Sequence, residues 1–158
     1  MFSQRSMRDF KSDLFNHNRH RNAGNTSQFD YNCAGFALET FSWYCPSHNE
    51  HTWGCFLPRR TKEYMEELTV ECVEIMLNDF ADLRVVFDMT EIHSDEYAIA
   101  FRVSSDGDFH YMKQIDGEHW EHKCGISDIY NISQEAVLHT KWCGGRYDGP
   151  IVLFAKKL

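Results

Sequence analysis

An α+β domain, a helix near the N-terminus packed on an antiparallel β-sheet, is what three features of this 158-residue sequence predict. Helical patterns occupy the first half, strand patterns occupy the second, and Asp116-Gly117 marks a tight hairpin between two of those strands. The length suits a single hydrophobic core, which aromatic residues, 15% of the chain, can fill.

Residues 1–27 read as a polar arm rich in Arg, Asn, Ser and His, with a short helix over Met7–Phe15. Five basic residues against two acids leave this arm near +3, so the remainder carries about -11 of the overall -8. Such an arm is expected to be a loosely docked terminus or a contact for a partner protein. An acidic domain lacks the basic face that duplex DNA requires, so no nucleic-acid partner is expected. No apolar run resembles a signal peptide or reaches membrane-spanning length. The chain is therefore expected to insert in no membrane, and to be cytoplasmic, or virion-associated or extracellular by a non-standard route.

Residues 28–158 read as one domain. Cys33 to Tyr44 is apolar nearly all round, the mark of a buried helix, which Pro46 would end. A cysteine at the start of that helix feels the positive end of the helix dipole, which favours the thiolate and makes Cys33 a candidate nucleophile. Cys45, His48, His51 and Cys55 follow within eleven residues and have zinc-preferred donor atoms, although their spacing is tighter than paired-knuckle sites use. Arg59–Asn78 reads as an amphipathic helix with Met65, Leu68, Cys72 and Ile75 on its core face.

The period then changes to two. Leu83–Phe87, Tyr97–Val103, Phe109–Gln114, Glu118–Lys123 and Ile151–Ala155 read as strands, with Tyr97–Val103 interior to the sheet. A cysteine nucleophile needs a base, and that base needs an orienting group. His110 lies on one arm of the Asp-Gly hairpin and His122 on the other. Whether they share a face depends on register. A two-residue Asp-Gly turn puts His110 opposite Lys123 and makes Glu121 the orienting candidate. A three-residue loop with a bulge at Gly117 pairs His110 with His122.

The segment Phe29-Asp30-Tyr31-Asn32-Cys33-Ala34-Gly35-Phe36 resembles the Asp-Cys-Ser-Gly-Phe nucleophile motif of NlpC/P60 cysteine peptidases, in the papain-like superfamily. His110 and His122 match that family's strand-borne histidines in order and spacing. The stretch Asp108-Phe109-His110-Tyr111-Met112 through Trp120-Glu121-His122-Lys123-Cys124-Gly125 is still more similar to a group of small uncharacterised papain-like proteins. The resemblance covers roughly residues 29–42 and 96–125. Asn32 stands where the NlpC/P60 motif has Asp, and the helix at 59–80 is an insertion between nucleophile and base.

What the resemblance implies is a papain-like domain with Cys33, His110 and His122 as catalytic residues and Gln28, Tyr31 or Asn32 as oxyanion or supporting groups. It would cleave an amide or isopeptide bond in a peptide or peptidoglycan-like substrate through a thioester, without a cofactor. A different reading is a zinc-stabilised interaction domain held by Cys45, His48, His51 and Cys55, with His119, His122, Cys124 and Cys143 as further donors. A papain-like binding module without activity is a third.

Overall fold

The structure, a computed structural model, describes residues 27–46 and 61–158. The expected helix at Met7–Phe15 and the donors His48, His51 and Cys55 lie outside the described residues. Six strands form one sheet, β1 (Leu83–Val86), β2 (Glu96–Val103), β3 (Phe109–Asp116), β4 (His119–Lys123), β5 (Ile129–Ser133) and β6 (Val152–Lys157). Their spatial order is β1-β6-β2-β3-β4-β5, and every neighbouring pair is antiparallel. The α+β class is therefore observed, and Tyr97–Val103 lies inside the sheet as its apolar run predicts.

Each face of the sheet carries its own core. Alternation along β3 sends Phe109 and Tyr111 to one face and Met112 to the other. The first face is covered by helix α1 (Cys33–Ala37) and helix α2 (Lys62–Asp79). Met65, Leu68, Cys72 and Met76 of α2 join Cys33, Ala34 and Ala37 of α1 over Ile99, Phe101 and Phe154. Thr61 caps α2 by accepting from the Tyr64 amide, so this helix starts later than the sequence predicts. Met76, rather than Ile75, is the buried residue of its last turns. The opposite face is covered by helix α3 (Gln134–His139) and the 142–147 segment, with Val137, Trp142 and Tyr147 against Trp120.

The expected helix over residues 33–44 is a single five-residue turn. After Ala37 the chain folds back on itself, and Thr40 and Phe41 both donate backbone hydrogen bonds to the Gly35 carbonyl. Glu39 and Phe41 adopt left-handed φ values of 57° and 52°. The apolar character of 36–44 records burial on several sides, not helical continuation.

Two buried lysines on β3 and β4 hold this segment down. Lys113 Nζ donates to Glu39 Oε1 at 3.1 Å and lies 4.2 Å over the Phe36 ring. Lys123 Nζ donates to the Tyr31 carbonyl at 2.7 Å, two residues before Cys33.

At the far side of the sheet, Glu96 is buried and accepts from Arg84 Nε at 3.0 Å, Arg84 Nη2 at 2.8 Å and the His93 amide at 2.9 Å. The Arg84 hydrogen bonds hold its carboxyl below the usual carboxylate range. A depressed folded-state pKa contributes stability above the unfolded value of about 4.3 and loses it as pH falls through the folded value. Glu96→Gln is therefore expected to lower stability near neutrality. It should also flatten the fall in melting temperature below about pH 4.3, a fall that wild type should show in a calorimetric pH series.

Candidate active site

Asn32 sets the start of α1. Its Oδ1 accepts from the Gly35 amide at 3.0 Å and from the Tyr44 amide at 3.3 Å, while its Nδ2 donates to the Tyr44 carbonyl at 2.7 Å. One buried amide thus caps the helix and pins the returning chain. The donor to Tyr44 accounts for Asn where the resembled motif has Asp, since a carboxylate oxygen would face that carbonyl. Asn32→Asp is expected to cost about 1–3 kcal/mol in urea unfolding, the penalty of an unsatisfied buried pair. With its Nδ2 held by Tyr44, Asn32 supports the site as a clamp.

Cys33 follows this cap and is buried. Its thiol points at the Phe109 carbonyl at 4.0 Å. Burial pushes the thiol up to about 12, opposed by the nearby backbone amides of Tyr111 and Ala34. The dipole expected to favour the thiolate is that of a one-turn helix, and desolvation outweighs it. Cys33 therefore rests as a neutral thiol.

His110 and His122 meet through a register that neither hairpin option anticipates. Met112 pairs with His122 and Asp116 with His119, with a bulge between Gln114 and Asp116. Gln114 supports the bulge by donating its side-chain amide to the Gly117 carbonyl at 2.7 Å. Because Met112 opposes His122, the side chain of His110 shares the face of His122 on a diagonal. His110 Nε2 and His122 Nδ1 are 2.9 Å apart. Glu121 pairs with Lys113, which puts it on the other face and removes it as the orienting group.

His110 is buried, stacked 5.1 Å from the Tyr147 ring and edge-on to Trp142 at 6.0 Å. Burial lowers its pKa, opposed by the neighbouring Cys124 thiol, so the resting imidazole is neutral. Tyr147 also donates from its hydroxyl to Asp108 Oδ2 at 3.1 Å, and Arg146 Nη2 donates to the same oxygen at 2.8 Å.

These groups open into one cavity of about 530 Å³, lined by Asn32, Cys33, His110, Cys124 and Tyr147 among others. That is the size of a small-molecule or peptide side-chain site. Trp43, Phe109 and Ile126 give it apolar walls, and Asp108 and Arg146 give it charge. The cavity forms where β4 ends and the chain enters β3, at the N-terminus of α1. Among the described residues, Asn32 lines it and Gln28 and Tyr31 do not. Tyr31 is buried against Phe41 and Lys123.

Sequence reasoning set Cys124 aside as a donor for a different cluster. It lies beside the histidine pair, with its sulfur 3.8 Å from His122 Nδ1. Hydrogen bonds from Cys143, His110 and His122 hold its pKa well below the ordinary thiol range. Continuing the Met112–His122 register by two places sets Cys124 against His110, which is the signal that could have found it. His119, from the same proposed donor set, points elsewhere and bonds Asn131 Oδ1 at 2.8 Å.

What fold and site define is an α+β domain in which a helix-start thiol and His110, itself bonded to His122, line a common cavity. Comparison with protein-family models, with curated proteins and with solved structures finds no match to this chain.

Proposed function

We propose that this chain is a papain-like cysteine hydrolase that cleaves an amide or isopeptide bond through a thioester on Cys33. The observation that carries the reading is that His110, hydrogen-bonded to His122, lines the same cavity as Cys33. Two thiols border that cavity, and Cys33 is favoured as nucleophile over Cys124 by its place at the first position of α1. The Cys33 amide there has no intrahelical carbonyl to bond, so it is positioned to donate to the substrate oxyanion. The Cys124 amide is instead spent on Ser127 Oγ.

The steps balance as an acyl transfer followed by hydrolysis. The Cys33 thiol turns from the Phe109 carbonyl, His110 takes its proton through one water in the shared cavity, and the thiolate attacks the carbonyl carbon. The tetrahedral oxyanion collapses, the C–N bond breaks, and His110 returns the proton to the leaving amine. Water, deprotonated by His110, then attacks the thioester and frees the acid and Cys33. His122 holds the His110 ring and tautomer throughout.

A neutral thiol that shares a cavity with a neutral imidazole has a distinctive pH profile. Chelator-treated enzyme is expected to show an acid limb in kcat/KM below about pH 6.5 and no alkaline limb near 8.5, where an ordinary thiol titrates. The functional test is amine release from a panel of α-peptides, side-chain isopeptides and D-amino-acid peptides of the peptidoglycan type. Turnover by wild type and not by Cys33→Ser is expected. Equal turnover by both would refute the assignment.

A further inference from the structure

We propose that His110, His122 and Cys124 form a binding site for a thiophilic divalent metal of the zinc class, whose occupation silences the hydrolase. The silencing rests on the function proposed above; the metal site does not.

Three segments of the chain bring the donors together. His110 comes from β3, His122 from β4 and Cys124 from the link to β5. One ligand atom from each of His110, His122 and Cys124 lies within 4.8 Å of the others. Tetrahedral zinc, with Zn–N near 2.0 Å and Zn–S near 2.3 Å, sets its ligands about 3.3 Å apart for N···N and about 3.6 Å for N···S. The observed separations are 2.9 Å between the imidazole nitrogens and 3.8 Å between Cys124 Sγ and His122 Nδ1. Shifts of a few tenths of an ångström would seat the ion.

One sulfur and two imidazoles are a donor set that selects zinc over magnesium or calcium. The three leave a fourth tetrahedral position open, as in zinc sites with three protein ligands.

The metal competes with catalysis because it uses the same atoms. Ligation through His110 Nε2 and His122 Nδ1 replaces the hydrogen bond that orients the base. A ligated His110 is no longer held in its working orientation.

The test uses the full chain, reduced and freed of metal by chelation, titrated with Co²⁺ and then Zn²⁺. One equivalent of Co²⁺ is expected to give a thiolate-to-cobalt charge-transfer band with strong tetrahedral visible bands, which Zn²⁺ then removes. Cys124→Ser replaces an exposed residue and should weaken binding at least about tenfold. Cys33→Ser should keep the band while losing hydrolysis. A band that survives Cys124→Ser, or cobalt bound without thiolate absorption, overturns the site. Equal turnover by metal-free and zinc-loaded protein overturns the silencing. A cobalt site that depends on Cys124, in a chain that hydrolyses nothing, upholds the site and removes the hydrolase.

Discussion

Cys33→Ser is expected to reduce kcat/KM by at least about 10⁴-fold, and His110→Gln by a similar factor. Both losses follow from one proton transfer. Serine's hydroxyl is a far poorer nucleophile than the thiolate, and glutamine cannot take the proton that makes one. Groups acting as a unit are non-additive, so the double variant should fall within about tenfold of either single one. Both substitutions spare the fold. Serine fits the space of cysteine and finds the Phe109 carbonyl as an acceptor. Glutamine keeps much of the imidazole volume against Trp142 and Tyr147. His122→Ala should lose less, about 10²-fold, because it orients the base without moving the proton itself.

Gly35→Ala is the substitution expected to harm the fold most. A Cβ built there lies 1.9 Å from the Ser42 carbonyl oxygen and 3.0 Å from its carbon, both backbone atoms that cannot swing aside. Alanine gains about 1 kcal/mol of helix propensity at such a position, and forcing two backbone segments apart costs about 3 kcal/mol or more. The net loss of about 2 kcal/mol or more lowers Tm by roughly 4–8 °C in a chain this long. The clash also displaces the 39–44 return that Asn32 clamps, so activity should fall with stability. Thermal unfolding together with amine release on the same preparation checks both. Glycine is required here by close approach and not by its backbone angles.

The approximate bounds of five of the six strands were legible because period-two alternation is a local signal, whereas their order in the sheet, with β6 between β1 and β2, was not. That His110 and His122 face one another was readable only as a pair of alternatives, since it depends on a bulge built by the Gln114 side chain. No local pattern encodes a side chain that substitutes for ladder hydrogen bonds. The run from Cys33 to Tyr44 was legible as buried but not as folded back, because Glu39 and Phe41 enter the left-handed region without glycine. β5 and α3 were missed because Ile129–Ser133 is a half-exposed edge with no alternating apolar face. The acidity expected of Cys33 failed on burial, which a motif does not display.

The account turns on which thiol carries the acyl group. Rapid acid quench of the enzyme with a turned-over amide or activated ester, followed by peptide mapping, locates the thioester. The account predicts the acyl mass on the peptide containing Cys33, absent from Cys33→Ser and barely accumulating in His110→Gln. An acyl group on Cys124, with Cys33 unmodified, would contradict it.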